Sequence, residues 1–246
     1  MRIGSLPHYS FKMKVLIYIT VWKRPEATEI TYLGLDRVQK ILKEEGIDSD
    51  VLVISSEDYH TKAAKKRGYK VIEVENFPVG NKMNLGMQKA LEYKWDYLME
   101  MGSNNLLSNM YIRAFAAACK EGFKCFGSGK FYALQSDKSK ISIFNVRGRG
   151  TFGGVGRGFR RDILEAIENK KFWKEDINSG LDGSIWRNVI QPEVEKNKIN
   201  VRRLVNNSYP SVLDLKTGED INKHKGEINA DIEFLLYWFP ELKHWI

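Results

Sequence analysis

Four short apolar runs alternate with helix-patterned stretches through the first hundred residues, and this alternation constrains the fold more than any other feature of the chain. "KVLIYIT" (14–20), "DVLVISS" (50–56), "KVIEVE" (70–75) and "DYLMEM" (96–101) are rich in β-branched and aromatic residues and read as buried strands. After the first run, Pro25 suits the first position of a helix. Thr31, Leu35, Val38 and Leu42 follow at helical spacing, and Gly46 closes that helix. A polar helix from about Tyr59 ends at Gly68, and Met83, Met87, Ala90 and Leu91 mark the next one. Strand–helix alternation of this kind predicts an α/β fold: a mostly parallel sheet flanked by helices. Ligands in such sheets bind outside the carboxyl ends of the strands. Attention therefore falls on "TVWKRPE", "SSEDY", "ENFPVGNK" and "GSNN".

The second half is less regular and reads as mixed α+β. A helix is expected over "MYIRAFAAACKEG", with shorter strands near 125–135 and 140–146. "RGRGTFGGVGRGFRR" then reads as a loop leading into a helix "DILEAIENKKFW". No repeat and no long linker divides the chain, so one domain is expected, with a nucleotide-type half over 12–110 and an acceptor half with an aromatic tail over 111–246.

Composition narrows the partners. A formal charge of +8 favours anions such as nucleotide phosphates or nucleic acid, although a basic solvated surface has the same signature. Two cysteines make no disulfide or zinc framework. The N-terminal stretch lacks an apolar core of the signal-peptide kind, and no run approaches the roughly 18 residues that span a bilayer. These features point to a cytoplasmic chain without a membrane span, of undetermined oligomeric state.

Several residues carry candidate chemistry. Lys82 and Asn84 open a helix after a glycine, which is a ready anion site. Ser56 and Glu57 end the second strand, where they either hold a nucleoside or cap the next helix. Gly148, Gly150 and Gly153 formally spell G-x-G-x-x-G, but the glycine run continues and no strand end follows at the right distance. The same segment could bind single-stranded nucleic acid, with Phe152 and Phe159 stacking on bases. The turn after the fourth strand, "GSNN", has amides at Asn104 and Asn105 where a metal-holding turn has carboxylates.

Taken in order, these segments resemble the GT-A glycosyltransferases, near the inverting family 2 enzymes, over roughly the first 190 residues. The similarity lies in "VWKRPE", "ISSED", "PVGNKMNLGMQKA", "GSNN" at the place of an Asp-x-Asp-like motif, "TFGGVGRGFRRDIL", and "LDGS" at the place of the catalytic acid. The resemblance implies a GT-A-like (Rossmann-like) sheet and a nucleotide-diphosphate sugar donor, with a UDP-sugar favoured. It implies donor contacts from Thr20, Trp22, Arg24, Ser56, Glu57, Lys82, Asn84, Ser103 and Asn104, and a general base at Asp182 with Asp176 in reserve. It also implies Mg²⁺ or Mn²⁺, here facing Asn105 and His224. An amide can ligate such an ion but brings no charge, so Lys82, Lys23 or Arg24 would have to replace a missing metal. Arg147, Arg149, Arg157, Arg160 and Arg161 would make the acceptor side basic. A saccharide acceptor is the family default, and a hydroxymethylated DNA base fits the charge. A non-catalytic nucleotide or nucleic-acid binder is the alternative. A nucleotidyltransferase is disfavoured because "TVWKRPE" contains no glycine.

Overall fold

The computed structural model describes residues 12–146, 152–196, 200–204, 210–217 and 228–246. The first half follows the sequence pattern: β1 (Lys14–Val21), α1 (Pro25–Glu44), β2 (Asp48–Ser55), α2 (Asp58–Lys66), β3 (Lys70–Glu73), α3 (Val79–Ala90) and β4 (Tyr97–Gly102). β1 lies between β2 and β4, parallel to both, and β3 runs parallel beside β2. The apolar runs are continuous because both faces are covered. Val15, Ile17, Ile19, Val53 and Met99 pack with Tyr32, Leu35 and Val38 of α1 on one face. Leu16, Tyr18, Leu52, Ile54 and Leu98 pack with Met83 and Met87 of α3 on the other. Each fully buried side chain of this size contributes roughly 1.5–3 kcal/mol, so strand register is strongly specified on both faces.

The chain continues through β5 (Asn105–Leu107), α4 (Asn109–Lys120), β6 (Cys125–Gly127), β7 (Lys130–Leu134), β8 (Lys140–Asn145), β9 (Arg157–Arg160), α5 (Arg161–Glu165), α6 (Leu181–Ile185), α7 (Gln191–Glu195), β10 (Val201–Arg203), β11 (Val212–Leu215), β12 (Ile228–Asn229) and α8 (Ile232–Trp238). Among the described residues, one sheet has the order β10-β6-β9-β4-β1-β2-β3 and a second has the order β12-β8-β7-β11-β5. The C-terminal tail folds back onto α1, where the Arg37 guanidinium donates to both carboxylate oxygens of Glu241 and to the carbonyl of Leu107. No helix among the described residues is long and apolar enough to cross a membrane.

Two segments differ from the sequence expectation. The Gly/Arg-rich stretch is not all loop: Arg157–Arg160 is β9, an antiparallel strand inserted between β4 and β6. Its Gly158 is needed there, since a Cβ would meet the Phe126 ring at 2.4 Å. The helix expected through Trp173 stops at Glu165. Asn169 and Lys170 take positive φ values of 56° and 51°. The Asn84 side-chain Oδ1 then accepts from the backbone N–H groups of Phe172 and Trp173, fixing an extended path.

Candidate functional site

A cleft of about 380 Å³ opens at the carboxyl ends of β1 and β4, where a parallel sheet places its ligands. Thr20 and Arg24 border it from the first strand and loop, Glu100 and Gly102 from β4, and Asn104 and Asn105 from the following turn. Asp182 of α6 faces them across the cleft, and Asp214 and Lys216 enter from β11 and its end. Arg24 sits at the N-terminus of α1 with left-handed backbone (φ 54°).

The carboxylates are organised by one buried arginine. Arg157 Nε and Nη2 donate to Glu100 Oε2 at 2.9 and 2.7 Å, and Nη2 also donates to Asp182 Oδ1 at 3.3 Å. The Arg157 and Glu100 side chains are 1% and 7% exposed, whereas Asp182 is 57% exposed. Asp182 therefore has one oxygen steered from inside the protein and a face open to an incoming group. Burial pushes the Glu100 carboxyl up to about 7 against the pull of Arg157. A folded-state value raised above the ordinary 4.5 stabilises the fold fully below pH 4.5, and this contribution is lost as pH rises through 7. Urea denaturation should show wild-type stability falling between pH 4.5 and 7, with this component of the slope absent in Glu100→Gln.

Gly154 lies against the same carboxylates. A Cβ there would approach Asp182 Oδ1 to 2.4 Å and Glu100 Oε1 to 3.4 Å. Gly154→Ala is expected to push the Asp182 carboxylate aside; with Asp182 as the base proposed below, this lowers the rate on the order of 10²-fold, as a displacement of about 1 Å can. Steady-state kinetics beside a melting curve would separate that loss from any loss of fold.

The turn "GSNN" is tied to β11. Asn104 Nδ2 donates to Asp214 Oδ1 at 2.5 Å and to the Leu215 carbonyl at 2.8 Å. Asn105 Nδ2 donates to the same Asp214 oxygen at 3.2 Å, while its own carbonyl accepts from Gly102 N–H at 2.6 Å. Lys216 Nζ lies 2.6 Å from the other oxygen, Asp214 Oδ2. Ser103 is buried, and its carbonyl accepts from Thr31 Oγ1. A divalent ion of the Mg²⁺ or Mn²⁺ type seeks several oxygen ligands with negative charge among them. Among the described residues, the carboxylate at the turn, Asp214, is engaged by two amide N–H groups and an ammonium. Among the described residues no group of three or more His, Cys, Asp or Glu could hold an ion. His224 lies outside the described residues, as do Arg147 and Arg149. The described donors at this turn do not fit a divalent metal.

Other expected site residues lie elsewhere. Lys82 is 1% exposed and does not border the cleft. Its ammonium donates to the Val21 carbonyl at 2.6 Å, Ser56 Oγ at 2.8 Å and Asn76 Oδ1 at 3.0 Å, and burial pulls its pKa down to about 7. It clamps the end of β1 to the loops after β2 and β3. Lys82→Met should cost about 1–3 kcal/mol of stability, because buried acceptors lose their donor. A lower urea midpoint for Lys82→Met than for the wild type is the expected result. Asn84 serves the backbone at 172–173, as described above, so neither residue of this pair faces the cleft as an anion ligand. Ser56 and Glu57 border a separate recess of about 300 Å³, with Glu73 and Glu75. Glu57 accepts from the backbone N–H of Lys23 at 2.6 Å. Trp22 packs edge-on against Phe77, with Lys23 Nζ 4.7 Å from its ring centre. Asp176 is exposed and pairs with Lys174.

The basic face expected of the Gly/Arg segment is largely neutralised where it is described. Arg157 serves Glu100 and Asp182, Arg160 pairs with Asp162, and Arg161 pairs with Glu165. Phe152 and Phe159 are buried in the core and cannot stack on bases. Asp214 and Lys216 were not found from sequence. Their signal is an acidic residue inside the apolar run "VLDLK", where strand alternation alone gives no reason for one.

No family model and no curated protein matches the chain. Solved structures do. TarS from S. aureus in complex with UDP-GlcNAc aligns with TM-score 0.57 at 14% identity, over 87% of this chain and 60% of that one. The mannosyltransferase PcManGT from Pyrobaculum calidifontis, in complex with GDP-Man and Mn²⁺, aligns with TM-score 0.54 at 9% identity, over 84% and 57%. The inositol-1-phosphate CTP transferase from T. maritima aligns with TM-score 0.52 at 14% identity, over 94% and 97%. The chain thus spans about 60% of the TarS structure it matches. These alignments and the parallel β3-β2-β1-β4 core establish that the chain has the GT-A glycosyltransferase-like fold.

Proposed function

We propose that this protein transfers a sugar from a nucleotide-diphosphate donor to an acceptor hydroxyl, with inversion at the anomeric carbon. The observation that carries this reading is the placing of one open carboxylate, Asp182, in the same cleft as the cations Arg24 and Lys216, at the ligand edge of the sheet. A leaving diphosphate needs cationic neighbours, and a displacement by a hydroxyl needs a base for its proton. Asp182 takes that proton while Arg157 holds the carboxylate in place. The nucleoside lies toward the end of β1, near Thr20, which borders the cleft. TarS and PcManGT, solved with UDP-GlcNAc and GDP-Man, support a sugar nucleotide as donor. The acceptor is a hydroxyl on a saccharide or on a hydroxymethylated DNA base.

A second reading, nucleotidyl transfer, is favoured by the near full-length alignment with the CTP transferase. The glycine-free loop after β1 speaks against it. The products separate the two. Incubation with UDP-, GDP- and ADP-sugars, with and without saccharides or hydroxymethylated duplex DNA, should release a nucleoside diphosphate in an Asp182-dependent manner. Pyrophosphate release from a nucleoside triphosphate would establish the second reading. Nucleic-acid binding without turnover of any donor would point to a non-catalytic binder.

A further inference from the structure

We propose that Lys216, held by Asp214, and the neighbouring Arg24 together supply at the "GSNN" turn the N–H donors and positive charge that the fold's resemblance would assign to a divalent metal, so that donor binding and transfer proceed without one. This rests on the donor-site reading above and identifies its leaving-group cations. Asp214 lies opposite Asn105 in the β11–β5 ladder. One of its oxygens accepts from Asn104 and Asn105, and the other meets Lys216. The geometry also accounts for the amides. A carboxylate at position 104 or 105 would set oxygen against Asp214 Oδ1 at the distances now spanned by N–H donors, 2.5 and 3.2 Å. Like charges so close, in a site where the Asp214 and Lys216 side chains are 13% and 10% exposed, would be strongly unfavourable. The two asparagines and Lys216 therefore form one arrangement built around Asp214.

Lys216 borders the main cleft, and it also borders an adjoining one of about 380 Å³ with Arg24. An ammonium has three N–H donors, so it can hold Asp214 and a phosphate oxygen together. In the transfer, the bond between the sugar C1 and the β-phosphate oxygen breaks, and its electron pair stays on that oxygen. The acceptor oxygen forms its bond to C1, and the acceptor proton passes to Asp182. Lys216, with Arg24 nearby, meets the charge growing on the diphosphate.

Calorimetric titration of UDP and GDP into the wild type, Lys216→Met and Lys216→Arg, each in EDTA and in Mn²⁺, tests this. The expected result is a wild-type dissociation constant the same in EDTA and Mn²⁺. Lys216→Met should bind the diphosphate roughly 10- to 100-fold more weakly, as loss of a charged hydrogen bond does. Binding of the bare nucleoside should be unchanged, and Lys216→Arg should recover most of the loss. Binding that needs Mn²⁺, or an unchanged affinity in a folded Lys216→Met, overturns the proposal. Should Lys216→Met fail to fold, the wild-type comparison and Lys216→Arg decide. If neither nucleotide binds the wild type under either condition, the donor reading itself falls, and this inference with it.

Discussion

Asp182→Asn is expected to lower sugar transfer by roughly 10²–10⁴-fold, the usual contribution of a positioned base. The carboxylate is largely exposed and receives a 3.3 Å contact from Arg157, which an amide oxygen can still accept. An exposed substitution of this kind changes stability by no more than about 0.5 kcal/mol, or about 1–2 °C in melting temperature for a chain of this size. Donor affinity should hardly move, because Arg24 and Lys216 remain. A stopped assay of transfer, paired with donor titration, reads both quantities. Weakened donor binding together with an intact rate would mean that Asp182 contacts the donor instead of the acceptor proton.

The second large effect is on the fold. Above pH 7, where Glu100 is ionised in the wild type, Arg157→Met should destabilise the protein by about 3–5 kcal/mol, the cost of removing one partner from a buried ion pair. Met fills much of the space but leaves the Glu100 carboxylate without its guanidinium in a fully buried site. The double variant Arg157→Met/Glu100→Gln should recover part of that loss, because no buried charge is then stranded. Chemical denaturation of the two singles and the double would measure the coupling. Additive effects would show that Glu100 and Arg157 do not act as a pair. Either single variant should also impair transfer, since Arg157 orients Asp182.

The first half of the fold was legible because its strands are buried on both faces. An unbroken apolar run such as "KVLIYIT" has few other uses, and Pro25 and Gly46 bracket α1. β9 was not legible. Its four residues include two arginines and a glycine, and its place in the sheet depends on Phe126 packing over Gly158 and on Glu100 receiving Arg157. These are long-range facts that a local pattern does not carry. The site was legible in part. Asp182, Thr20, Arg24, Asn104 and Asn105 all border one cleft, and the roles given to them there belong to the proposed function. Lys82 and Asn84 looked like an anion site because a helix begins there. Their side chains instead satisfy backbone and side-chain groups of neighbouring segments. Asp214 and Lys216 lie more than a hundred residues from the turn they complete, and only the pairing of β11 with β5 brings them there.

The central claim is that the cleft between Arg24, Asp182 and Lys216 holds a sugar nucleotide. A thermal-shift comparison of wild type and Lys216→Met against UDP-, GDP-, CMP- and ADP-linked sugars tests it most directly. One donor class should stabilise the wild type by about 2–3 kcal/mol at a hundredfold excess over its dissociation constant, in EDTA as well as in Mn²⁺, and should shift Lys216→Met far less. No shift with any sugar nucleotide, beside a clear shift with nucleic acid, would contradict it.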